Sequence, residues 1–266
     1  MGADTKALRT RIKSVDSTLH LTKAMGLVAS SKIRKANDAM QKGRSYVKSL
    51  EEILDVLTAC PECKKSPYMR AEGDRIRLIV IAGDRGLAGG YNANVFRLAK
   101  EYPAAEMIPI GKRACDRFGK EPVSSESFSG ADAFQLAKVQ CEDFTCGEYD
   151  KLGIISTRYV SMMTQEAMIR WVFPLSPGTE QEGASVLFEP DEATILEAAI
   201  PEYVAGLIAM SVRESFASEV AARRMAMDSA GKNAGQMIED LQLQYNRARQ
   251  SAITQEITEI VAGSGA

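Results

Sequence analysis

From Lys6 to Ala59 the chain has no proline, and one series of positions steps alternately by four and three. It runs Leu8, Ile12, Val15, Leu19, Thr22, Gly26, Ala29, Ile33, Ala36, Met40, Gly43, Val47, Leu50, Leu54, Leu57, and nearly every member is apolar or small. A stripe that follows the heptad for so long specifies one helix packed along a partner helix, because only a coiled-coil seam repeats at about 3.5 residues. At roughly 1.5 Å per residue such a helix is about 80 Å long, wider than a compact domain of this chain length, so part of it must project. Gly26, Ala29, Ala36 and Gly43 let a partner backbone come close, and Pro61 stops the helix.

The C-terminal segment repeats the pattern. Pro201 is placed at a helix start, and the seam reads Phe216, Val220, Arg223, Met227, Ala230, Ala234, Met237, Leu241, Tyr245, Ala248, Ala252, with Ile253, Ile257 and Ile260 on a neighbouring face. Charge then selects the partner. Residues 1–59 carry eleven Lys/Arg against six Asp/Glu, whereas residues 191–266 carry six against eleven, nets of +5 and −5. Opposite ends favour pairing with each other in an antiparallel intramolecular coil, over a parallel homodimer that would bring like charges together. A basic arm for nucleic acid is the competing reading of the first segment, but such arms lack a sustained apolar stripe, so no nucleic-acid partner is expected.

The middle alternates strands and helices. Arg75–Ala82 (RIRLIVIA) reads as a buried strand, followed by the loop GDRGLAGGYN and a helix over Ala93–Tyr102. Met107–Ile110 is a second strand, Lys112–Phe118 a short helix, Pro122–Phe128 a weak strand and Ala131–Phe144 a helix. Lys151–Val160 and Ala167–Leu175 read as adjacent strands, and Ser176–Gly183 as a surface loop. This order favours a mainly parallel, Rossmann-like sheet. The expected fold is α/β: a long antiparallel coiled coil of the N- and C-terminal helices plus a central Rossmann-like α/β domain. Its parts are an N-terminal coil helix over residues 1–59, an α/β domain over 60–190 and a C-terminal coil helix over 191–266.

Chemistry is sparse. With 45% hydrophobic and 26% charged residues the chain has a globular composition. It contains no run of about 18 apolar residues, so no membrane span is expected, and no apolar leader core. Its five cysteines are expected to be reduced. A single histidine, His20, precludes a histidine-rich catalytic or metal centre. The loop over residues 83–90 follows a strand and precedes a helix, where backbone amides can cradle phosphate. It lacks GxGxxG spacing and a GK[ST] end, and Asp84 would repel an anion, so a structural turn or protein contact is the better reading. Cys60-Pro-Glu-Cys63 is a lone CxxC without two further zinc ligands. No cofactor and no metal are expected.

Three segments carry a resemblance. Leu21–Lys32 (LTKAMGLVASSK) is similar to the N-terminal signature of the gamma subunit of F-type ATP synthase. Asp84–Asn92 (DRGLAGGYN) resembles that family's DRGLCGGLN loop, and Leu241–Ile260 (LQLQYNRARQSAITQEITEI) its closing signature. They occur in family order across the whole chain. The resemblance implies a non-catalytic rotor shaft, its coil inside the ring of alternating alpha and beta catalytic subunits. The α/β domain would form its foot beside the epsilon subunit and the membrane ring of c subunits. Rotation driven by proton (or sodium) flow would then serve ATP synthesis and hydrolysis. The subunit would lie peripherally on the cytoplasmic face of the bacterial plasma membrane, held there through the complex.

By the same resemblance, Arg249 and Gln250 match the pair that grips a beta-subunit loop, and Thr254 and Glu256 match coupling positions. Lys23 and Met25 lie where the first helix faces the beta subunits. Arg85, Gly86, Gly89 and Gly90 belong to the foot, and Tyr203 matches a tyrosine near the c ring. Ala88 stands for the usual cysteine and Tyr91 for the usual leucine, and Tyr203-Val204-Ala205-Gly206 lacks the acidic residue that often follows the tyrosine. No inserted redox segment is present. The competing classes are an α/β nucleotide-binding module with a coiled-coil arm, and a coiled-coil adaptor without a rotary role.

Overall fold

The computed structural model describes residues 2–70, 73–178 and 188–264. Helix α1 spans Gly2–Ala59 and is followed by short 3-10 turns at Cys63–Lys65 and Pro67–Met69. Then come β1 (Ile76–Ile81), α2 (Tyr91–Ala99), β2 (Glu106–Ile110), α3 (Lys112–Phe118), α4 (Gly130–Thr145), β3 (Lys151–Tyr159), β4 (Gln165–Phe173) and α5 (Glu192–Ser264). The chain divides into two compact units, Met1–Ala29 with Arg223–Ala266, and Ser30–Ala222.

The Ser30–Ala222 unit is built on a four-stranded sheet in the order β2-β1-β3-β4. β1 pairs in parallel with β2 and β3, and β3 pairs antiparallel with β4, with a register irregularity at Leu152/Gly153. β1 is buried on both faces, as expected of a parallel strand covered on each side. Leu78 and Val80 pack with Ile155, Val95, Ala99 and Ala114 on one side. Ile79 and Ile81 face the other side, with Ile154, Phe144 and the first turns of α5. β2 tolerates Pro109 because it is an edge strand, where a missing amide need not break a ladder. α4 begins with a capping box, in which the Ser129 hydroxyl accepts from the Asp132 amide and Asp132 accepts in return from the Ser129 amide.

Two expectations are corrected. Residues 122–128 form no strand. Their backbone groups are bonded elsewhere: the Val123 carbonyl accepts from the Gly111 amide at 3.0 Å, and the Ser125 and Glu126 amides donate to the Asp84 carboxylate at 2.9 and 3.1 Å. A segment whose amides serve a side chain cannot also serve a ladder. Nor does Pro201 start a helix; it lies inside α5. The helix starts nine residues earlier, where the Asp191 carboxylate accepts from the Thr194 amide and hydroxyl at 2.9 and 2.8 Å. An internal proline costs a helical hydrogen bond, about 3 kcal/mol. Leu196, Ile200, Val204, Leu207 and Ile208, fully buried on either side of it, outweigh that cost.

The same residues account for a feature that run length alone missed. One stretch of α5 reaches a mean hydropathy of 1.5 over 18 residues, enough by composition and length to cross a membrane. Its apolar side chains are the ones buried against the sheet, so the domain core already covers them.

Within this unit α1 and α5 pack antiparallel, with Gly43 against Met210 and Gly206 against Tyr46 and Leu50. The unit of residues 1–29 and 223–266 shows the same sense: Gly26 faces Met227, and Gly231 faces Thr22 and Leu19. All fifteen positions of the α1 series are buried or half-buried. In α5 the seam slips by one residue after Ala234. Ile238 is half-buried where Met237 is 45% exposed, and the stripe then continues through Leu241, Tyr245, Ala248 and Ala252.

A side chain added at Gly26 would begin 3.7 Å from Met227 Cβ, an ordinary contact distance. Gly26→Ala is therefore expected to fold as well as the parent, while Gly26→Leu overfills the seam and loses about 1–3 kcal/mol. Thermal unfolding followed by circular dichroism reads the difference, and an unchanged midpoint for Gly26→Leu would remove position 26 from the seam.

Candidate functional site

The β1–α2 loop is held together by its own side chains. The Asn92 carboxamide accepts from the Gly83 amide at 3.0 Å and donates to the Arg85 carbonyl at 3.3 Å. Asp84 turns the opposite way and accepts from the amides of Lys112, Ser125 and Glu126 and from the Ser124 hydroxyl. Burial opposes ionisation of Asp84, but these four donors outweigh it and hold its pKa below the ordinary aspartate value. Asp84 is thus a latch between the loop, the start of α3 and residues 124–126. The phosphate-repelling role considered from sequence missed this, although an aspartate after a buried strand is a common cap and turn residue.

The rest of the loop turns outward. Leu87 takes a left-handed conformation (φ 62°) and is exposed, Gly89 follows at φ 58°, and Ala88 between them is buried. Arg85 is largely exposed and lies 3.9 Å from Glu126, and Gly86, Gly89 and Gly90 line the turn. Tyr91 then fixes the loop to α5, its hydroxyl donating to the Ser215 carbonyl at 3.0 Å. Around the same carbonyl, α5 carries a polar face against β3: Ser215 Oγ accepts from the Thr157 amide, and the Ser218 hydroxyl donates to the Thr157 carbonyl. Tyr203 is half-buried, and burial, with the Glu51 carboxylate nearby, pushes its phenol up to about 12.

The coil residues singled out from sequence are disposed differently. Arg249, Gln250, Thr254 and Glu256 are all exposed on α5, as is Lys23 on α1, while Met25 is half-buried. From residue 253 through 263 every residue of α5 is exposed, so the seam ends at Ala252. This terminal stretch bears Ile253, Ile257, Ile260 and Val261, which are 46–70% exposed. At helical spacing, Arg249, Ile253, Glu256 and Ile260 share one stripe and Gln250, Thr254, Ile257 and Val261 the next. Leu21, Leu27, Val28 and Leu243 add exposed apolar surface in the same unit. Sequence reasoning passed over these four, although an apolar residue at an outward heptad position is itself the signal.

Three of the five cysteines are poorly suited to chemistry. Burial raises the Cys60 thiol, raises Cys63 to about 11 and raises Cys141 to about 12, so none of these three is a ready thiolate. Among the described residues no three His, Cys, Asp or Glu side chains gather to hold a metal.

The ATP synthase family model matches residues 4–266. The chain belongs to the ATP synthase gamma-chain family. The gamma chain of Ruminococcus albus is 39% identical to it over 280 residues, which cover 98% of each chain. That of Stenotrophomonas maltophilia is 38% identical, over 99% of each. Among solved structures, a chain of the Euglena gracilis mitochondrial ATP synthase OSCP/F1/c-ring assembly superposes with a TM-score of 0.70, at 18% identity, covering all of this chain and 95% of that one. A chain of the Tetrahymena thermophila central stalk/c-ring structure superposes with a TM-score of 0.61, at 21% identity, covering 79% and 99%. At such identities the likeness is one of fold.

Proposed function

We propose that the chain is the central rotor shaft of an F-type ATP synthase. Its coil turns within the ring of alpha and beta catalytic subunits, and its α/β domain forms a foot against the epsilon subunit and the membrane c-ring. Rotation driven by proton (or sodium) flow through that ring drives ATP synthesis, and ATP hydrolysis drives it in reverse. The subunit itself is non-catalytic and peripheral, on the cytoplasmic face of a bacterial plasma membrane.

The observation that carries this reading is the bare end of α5. A helix that leaves its seam at Ala252 and continues with exposed isoleucines at positions 253, 257 and 260 has apolar surface that only a surrounding partner can cover. A sleeve of other subunits suits it, and the family match over the full chain supplies their identity. The loop after β1 weighs against the nucleotide-binding alternative, because Asn92 already takes the Gly83 amide that a phosphate bound there would need. In this reading Arg249, Gln250, Thr254, Glu256, Lys23 and Met25 meet the beta subunits. Arg85 with the Gly86–Gly90 turn and Tyr203 belong to the foot contacts.

Co-expression with alpha and beta subunits followed by native mass spectrometry tests the assignment. One copy of the chain is expected per alpha/beta ring. A chain that stays free while the ring forms, or that binds Mg-ATP at micromolar concentration on its own, would overturn it.

A further inference from the structure

We propose that a cleft between α1, α5 and the β3–β4 hairpin binds a phosphoryl oxyanion. The cleft has a volume of about 430 Å³ and lies within the Ser30–Ala222 unit, away from the β1–α2 loop. Arg44 and Lys48 line it from α1, and Arg158 and Arg170 from the hairpin. Two carboxylates also line it, and both are already engaged. Glu214 pairs with Arg44, which also donates to the Tyr159 carbonyl at 2.9 Å, and Glu51 pairs with Arg170 at 3.3 Å.

Two cations are left over. Lys48 reaches only Glu52, at 3.7 Å with both side chains solvated, a contact of little strength that leaves the ammonium free to turn inward. Arg158 is exposed and makes no ion pair among the described residues. Two hydroxyls complete the lining. Ser156 and Ser211 are 8% and 3% exposed, and neither side chain has a hydrogen-bond partner among the described residues.

Hydroxyls that open into the cleft beside a surplus of positive charge suit an acceptor-rich anion. A guanidinium can hold two oxygens of such a group at once, and each hydroxyl can donate to another. A phosphate monoester carries about −1.5 to −2 charges at neutral pH, which matches Arg158 and the weakly paired Lys48 better than one carboxylate would. The bound group would join α1 to the hairpin, two elements otherwise linked here by the Arg44 and Arg170 contacts. Free phosphate and the phosphomonoester headgroup of phosphatidic acid share this chemistry.

The test uses the purified full chain, with Arg158→Gln and Ser211→Ala as variants and Lys120→Gln, an exposed lysine outside the cleft, as control. Radiolabelled inorganic phosphate in equilibrium dialysis should bind once per chain. Either variant should weaken binding about tenfold, the value of one charge-assisted hydrogen bond, and added salt should weaken it further. Flotation on phosphatidylcholine vesicles with and without phosphatidic acid separates the sources. Flotation that needs the anionic lipid and is lost in Arg158→Gln, without phosphate binding, assigns the site to a headgroup. Absence of both, or equal losses in Lys120→Gln, would show a merely hydrated cleft and overturn the proposal. Arg158 is exposed and Ser211→Ala is nearly isosteric, so circular dichroism should find both variants folded.

Discussion

The double substitution Arg249→Ala, Gln250→Ala is expected to leave the complex assembled while depressing ATP synthesis and ATP-driven pumping about ten- to a hundredfold. Both residues are exposed on α5, and neither makes a hydrogen bond or ion pair among the described residues. Surface changes of that kind alter stability by only about 0.5 kcal/mol in either direction, so folding should not change. Their polar groups are free for another subunit. A guanidinium grips a carboxylate through two charge-assisted bonds, and a carboxamide both donates and accepts. Losing one such bond costs about 1.5–3 kcal/mol, which shifts the population of one angular state of the shaft by the factor given above. The contact must also release as the shaft turns, which suits an exposed pair better than a buried salt bridge. Pumping in membrane vesicles at matched enzyme content decides the matter. An unchanged rate would reduce both residues to solvated helix surface.

How much of this was legible in the sequence depends on how often each signal was repeated. The α1 stripe samples its period fifteen times, so a local ambiguity cannot shift it, and each position is at least half-buried. The α5 stripe slips at Met237 because Ala230 and Gly231 are both small and the next step can be counted from either; packing chooses Ile238. Pro201 misled because proline has a strong local preference, whereas the burial of Leu196 and Ile200 that overrides it is tertiary. Residues 122–128 misled for the converse reason. Their strand-like composition is real, but the Asp84 carboxylate takes their amides across forty positions of sequence. The coupling residues stand apart. Nothing in the contacts of Arg249, Gln250 or Glu256 marks them, since a surface built to meet another subunit is blank in the free chain. Only the resemblance of Leu241–Ile260 to a family signature singled them out. The exposed isoleucines beside them are the physical trace of the same surface.

A large loss of stability from a single methyl group is expected at Gly111. β1 and β2 end side by side, and each chain then turns away, one into the β1–α2 loop and the other into α3. Gly111 makes the second turn at φ 98°, a region that other residues rarely adopt. A Cβ there would lie 1.9 Å from the Ala82 carbonyl oxygen and 2.7 Å from its carbon. The neighbouring strand cannot retreat, because the Ala82 amide donates to the Ile110 carbonyl at 2.9 Å. The glycine cannot rotate away either, since its amide donates to the Val123 carbonyl and its carbonyl accepts from the Ala114 and Cys115 amides of α3. Backbone strain of this type costs about 1–3 kcal/mol, and overpacking against immobile atoms about 1–3 kcal/mol more. Domains are stable by only about 5–15 kcal/mol, so Gly111→Ala should bring the chain near unfolding. Gly119 supplies the control, being also left-handed (φ 64°) but with nothing within 4 Å of an added Cβ, so Gly119→Ala should show the strain alone. Gly130, in the first turn of α4 with equally open space, should accept alanine without loss. Urea unfolding of the three variants should rank them Gly130→Ala, Gly119→Ala, Gly111→Ala in order of falling stability. Equal midpoints for the last two would mean that the Ala82 carbonyl yields, and that the closeness of β1 and β2 at their ends is not what requires glycine at 111.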